Sequence, residues 1–155
     1  MASDVIILFG GSSSERLVSV ASAQNVSKHL PEAECWFIAP NGTVSVVDRA
    51  ELAAHEDPFE KQFVPEGTAA FTSVTAALDS PAAKGKTFFL ALHGGDGENG
   101  VTQRLLEERG LAFTGSGSKA SADAFDKAKT KKLASAQAAK VAEARILRDV
   151  MPPPA

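Results

Sequence analysis

A chain of 155 residues is long enough to bury the core of one domain, and 44% apolar with 23% charged residues is ordinary globular composition. A net charge of −3 gives no electrostatic reason to expect nucleic acid or an anionic membrane as partner. The lone cysteine, Cys35, excludes an internal disulfide, and no run is long enough for a signal-peptide core or a bilayer span, so the expected location is cytoplasmic.

The β-branched run VIILF (5–9), bounded by Gly10-Gly11, predicts a strand buried on both faces. A helix is expected from Glu15 to about Leu30, ended by Pro31, with Leu17, Val20, Ala23 and Val26 in a broad, imperfect apolar stripe. ECWFIAP (34–40) reads as a second strand stopping at the turn signal PNG, and TVSVV (43–47) as a short outer strand. Pro58, Pro65 and Gly67 interrupt any long element over 48–67. AAFTSVTAALDS (69–80) reads as a helix before Pro81, and TFFLALHGG (87–95) as the strongest strand. NGVTQRLLEERG (99–110) reads as a helix closed by Gly110. LAFTGSG (111–117) is a short strand and glycine turn, followed by an alanine-rich helical stretch to about Ala139. ARILRDV (144–150) reads as one more strand.

Strands alternating with helices predict an α/β fold, a wound, mainly parallel sheet with flanking helices. Ligands of such sheets gather at the carboxyl ends of the strands. The glycine-bearing segments at 10–11, 94–100 and 115–117 would all lie on that edge.

The junction GGSSSE (10–15) lacks the lysine and second glycine of a phosphate loop. A dinucleotide fingerprint needs an acid near the end of the second strand, where IAPNG has none. Glu15, in a helix's first turn, is instead stabilised as an anion and would attract an ammonium group. The other reading is a capping box, with Ser12 as cap and Glu15 folding back onto it. LHGGDGENGVTQ (92–103) sets His93, two acids and four glycines behind a buried strand. Such a loop lets backbone approach a ligand closely, with His93 orienting it; the alternative is a flexible turn with a solvated histidine. No second histidine or cysteine stands at ligand spacing, so no metal site is expected. In DAFDKAKTKK (123–132) the lysines read as a solvated face, or Lys127 reaches a phosphate while Asp126 caps the helix.

LFGGSSSERLVSVASA (8–23), ALHGGDGENGVTQRLLEERGLAFTGSGSKASADAFDK (91–127) and TKKL (130–133) together resemble the D-alanine–D-alanine ligases of the ATP-grasp superfamily. Residues 31–86 match only in length and pattern. The resemblance implies a Rossmann-like amino-terminal domain over 1–140 and the start of a central ATP-grasp domain over 141–155. It implies an enzyme that uses ATP and Mg2+ to phosphorylate one D-alanine and join it to a second, giving the dipeptide of peptidoglycan precursors. It makes Glu15 the acid that holds the first D-alanine's ammonium, His93 a lining residue of the same subsite, and Lys127 a contact to ATP phosphate. It also implies a homodimer. The magnesium acids and most of the ATP site would lie in domains outside this chain, so the chain alone is expected to be inactive. Two alternatives remain: a free-standing module that binds a small amino acid or a partner, and a ligase joining D-alanine to D-lactate or D-serine.

Overall fold

The computed structural model describes residues 4–146. Strand β1 (Val5–Gly10) is buried over all but its first residue. It pairs in parallel with β2 (Glu34–Ile38) on one side and β4 (Thr87–Leu90) on the other. A strand flanked by strands and covered on both faces has no place for a polar side chain, which is why VIILF is unbroken. Its side chains alternate. Ile7 and Phe9 share one core with Cys35 and Phe37, and Ile6 and Leu8 share the other with Trp36 and Phe88.

Helix α1 (Arg16–His29) covers the first face through Val20 and Ala23, beside Leu52 of α2 (Arg49–Ala54). Lys28 stands in its last turn, where a cation favours the negative end of the helix, and Pro31 follows. Leu78 of α3 (Val74–Leu78) and Leu106 of α4 (Val101–Glu107) close the second face. There Trp36 is fully buried, 5.2 Å from the ring of Phe71 and edge-on to Phe88 at 5.9 Å. Antiparallel β3 (Val44–Val47) and the two-residue β5 (Ala112–Phe113) complete a sheet of order β3-β2-β1-β4-β5. This is the wound, mainly parallel sheet that the strand–helix alternation predicts.

Several elements differ in extent. The interrupted stretch 48–67 contains α2, started by Asp48, whose carboxylate accepts the Ala50 N–H at 2.6 Å. The helix expected over 69–80 is confined to Val74–Leu78, because Phe71 pairs with Val44 through two backbone hydrogen bonds. β4 stops at Leu90, short of the glycines. The alanine-rich stretch is two helices, α5 (Ser118–Phe125) and α6 (Lys127–Ala136). Asp126 breaks them in extended geometry and accepts the N–H groups of Ala128 and Lys129. Of the strand expected over 144–150, residues 144–146 have no regular structure and the rest lies outside the described residues.

Candidate functional site at the carboxyl edge of the sheet

The chain leaves β1 for β2 on one side and returns as β4 on the other, so the strand order reverses between β1 and β4. In a wound sheet the loops diverge at such a reversal and leave a crevice. Here it is an open cleft of about 290 Å³ between the turns 10–13, 39–42 and 92–97 and the start of α4. Gly10 makes the first turn possible. Its φ is +93°, and an added Cβ would stand 2.3 Å from the Ile38 carbonyl oxygen and 2.6 Å from the Phe37 ring. Ser19, fully buried on α1, then ties the two strand ends together. Its Oγ accepts the Gly10 N–H at 2.7 Å and donates to the Ala91 carbonyl at 2.7 Å.

Glu15 occupies the N-cap position of α1, one residue before the helix, with an exposed side chain that makes no capping hydrogen bond. The Ser12–Glu15 capping box is therefore not formed, and the local polar contact is the Glu15 N–H donating to Ser13 Oγ at 3.1 Å. His93 follows β4, half-buried, with Nε2 2.8 Å from Ser22 Oγ on α1. The two loops meet at Gly94, whose φ is +65°. A Cβ there would stand 2.4 Å from Ser13 Oγ and 3.3 Å from the Glu15 carboxylate. Ligand atoms of Glu15, His93 and Glu98 consequently lie within 4.8 Å of one another. His93 lines the cleft, and Glu15 stands just outside its lining, across Gly94. Two carboxylates beside an imidazole suit a cation and repel a phosphate.

Lys127 is the first residue of α6 and is exposed, away from the cleft lining. Its neighbours in the lysine run are engaged locally: Lys129 pairs with Asp123 at 2.5 Å, and Lys131 donates to the Ala142 carbonyl at 2.9 Å. Cys35 lies in the core, and burial pushes its thiol up to about 11 despite the opposing charge of Arg49. It stays protonated at neutral pH and offers no nucleophile.

The structure brings Glu15 and His93 together and leaves Lys127 on a separate helix. Sequence reasoning missed Ser19, Ser22 and Glu98. The two serines stand one helical turn apart within an otherwise apolar stripe, and hydroxyls there mark the line along which α1 meets the strand ends. Glu98 was visible only as one of two acids in the glycine loop, with nothing in its spacing to set it apart from Asp96.

The family model described as "D-ala D-ala ligase N-terminus" matches residues 4–116. A D-alanine–D-alanine ligase of Mycolicibacterium vanbaalenii is 34% identical, over 93% of this chain and 44% of its own length. The ligase of Corynebacterium diphtheriae is also 34% identical, over 93% of this chain and 43% of its own. The solved D-alanine–D-alanine ligase of Coxiella burnetii superposes with a TM-score of 0.65 at 26% identity, over 86% of this chain and 41% of that one. The chain thus spans less than half the length of the relatives it matches. With the family model matched over most of the sequence and the fold shared with a solved ligase, the D-alanine–D-alanine ligase amino-terminal family is the one to which this chain belongs.

Proposed function

We propose that this chain is the substrate-binding amino-terminal part of an ATP-dependent ligase that makes D-alanyl-D-alanine for peptidoglycan precursors. The observation that carries this reading is the meeting of Glu15 and His93 at the strand-order reversal, over a cleft small enough for an amino acid. Glu15 takes the ammonium of the first D-alanine through a charge-assisted contact. His93, its ring held by Ser22, lines the same subsite. Residues 1–140 form the binding domain, and 141–155 begin the central domain. The ligase acts in the cytoplasm as a homodimer.

ATP with Mg2+ is the energy source of the proposed reaction, and the residues present here do not by themselves fit it. The glycine edge carries Glu15, Asp96 and Glu98, charges that oppose a triphosphate. Lys127 is the one matched cation, and it lies on a different helix. No step of phosphoryl transfer is therefore assigned to this chain, and Lys127 is left a contact to phosphate supplied with the other domains. Glu15→Gln in a ligase of full family length built on this chain tests the reading. The Michaelis constant for D-alanine rises about ten- to hundredfold, while that for ATP stays fixed. Equal constants for D-alanine in parent and variant would remove Glu15 from the substrate.

A further inference from the structure

The cluster of Glu15, His93 and Glu98 has a use beyond an ammonium. Three atoms that all lie within 4.8 Å of one another leave a point no more than about 2.8 Å from each, against about 2.0–2.2 Å for zinc bonded to histidine or carboxylate. Both glutamates are exposed and free to turn, so closing that fraction of an ångström needs only rotamer adjustment. The imidazole is the fixed member. It is half-buried, and its Nε2 is held by Ser22 Oγ at 2.8 Å. Metal-binding histidines almost always give their second ring nitrogen to such an orienting partner, which sets the tautomer and aims the other nitrogen. Gly94, between His93 and the Ser13–Glu15 turn, leaves no room for a Cβ that would hold the loops apart.

We propose that Glu15, His93 and Glu98 form a site for one divalent transition-metal ion of the zinc class. The ligands are one oxygen from each glutamate and the ring nitrogen of His93 that Ser22 leaves free, with solvent completing the coordination. Two carboxylates and a neutral imidazole balance the ion's charge. The imidazole favours zinc, cobalt or nickel over magnesium, which demands an octahedron of oxygens. Because Glu15 is also the group given above to the substrate ammonium, metal and D-alanine exclude each other; this consequence alone rests on the D-alanine reading.

Calorimetric titration of the 155-residue chain with zinc chloride, without amino acid or nucleotide, tests the site. One ion binds per chain, and magnesium chloride gives no saturable heat. His93→Ala and Glu98→Gln each weaken zinc more than about tenfold, and Ser22→Ala weakens it by about tenfold through the ring's orientation. His55→Ala, at the end of α2, changes nothing. Circular dichroism checks that each variant is folded. Nitrogen-15 spectra of the histidines place zinc on the His93 nitrogen not bonded to Ser22. Absence of saturable heat overturns the site, as does equal binding of magnesium, or zinc binding that survives His93→Ala and Glu98→Gln or is lost in His55→Ala. Failure to bind D-alanine leaves the zinc result standing, and failure to bind zinc leaves the D-alanine reading standing.

Discussion

β1 buries five of its six residues between two strands and under helices on both faces, whereas α5 and α6 bury none of theirs. The sheet is held by area removed from water. The carboxyl-terminal helices are held by caps, ion pairs and a hydrogen bond at the periphery: Asp126 at the start of α6, Lys119 and Lys129 on Asp123, and Ser118 on Glu107. Burial of a large side chain is worth several times a surface pair. The carboxyl edge with Glu15 and His93 is consequently built on the rigid region, and Lys127 sits on the weakly held one. This difference matches the proposed division of labour, in which one region shapes the amino-acid subsite by itself and the other awaits further domains.

The sharpest contrast comes from truncating one apolar side chain in each region. Trp36→Ala removes a fully buried ring packed between Phe71 and Phe88 and costs about 3–5 kcal/mol, enough to unfold much of the population. Leu133→Ala on α6 starts from a half-exposed side chain and lowers the unfolding free energy, read from urea denaturation, by no more than about 0.5 kcal/mol. A comparable loss in both variants would break the distinction.

Within the rigid region, two glycines of similar φ separate backbone strain from crowding. Gly42 has φ +86° with open space around a new Cβ, so Gly42→Ala costs about 1–2 kcal/mol. Gly10→Ala adds the collision with the Ile38 carbonyl and the Phe37 ring to the same strain and costs more than about 3 kcal/mol. Equal thermal midpoints for the two variants would mean that the Gly10 turn shifts freely and does not fix the cleft.

A smaller effect sharpens the other side. Asp126→Ala removes the acceptor for two N–H groups and costs about 1 kcal/mol, confined to α6. Amide exchange accelerates over 127–136 and stays unchanged in β1 and β4. The smallest effect is electrostatic. Hydrogen bonds from Lys119 and Lys129 hold the Asp123 carboxyl below the usual aspartate range. Its contribution is present in full above the unfolded value and is lost as pH falls from about 4 through the lowered one. Helicity of α5 and α6 therefore declines over that interval before the sheet unfolds, and 0.5 M salt blunts the change.

The sheet was legible because its central strands carry unbroken apolar runs, as VIILF does before Gly10. α1 was legible within a residue at its start. The reading failed where tertiary pairing overrode local pattern, as when Phe71 left its helix to bond Val44; the short α2, ahead of Pro58, was not foreseen, and it forms because Asp48 caps it and Leu52 reaches the core. Glu15 and His93 stood out by chemistry and by family motif. Ser19, Ser22 and the nearness of Glu98 did not, since 71 residues separate Ser22 from His93 and no local period reports that contact. The clean break at Asp126 was half visible: the cap was read, but the extended geometry that splits α5 from α6 was not.

The central claim, that the Glu15–His93 edge receives the ammonium of D-alanine, is tested most directly by titrating D-alanine into the nitrogen-15-labelled chain. Backbone signals of 12–16 and 93–98 move together and saturate in the millimolar range, those of 127–136 stay still, and Glu15→Gln abolishes the movement while leaving the rest of the spectrum folded and unchanged. Shifts of the same size and midpoint in Glu15→Gln would contradict the account.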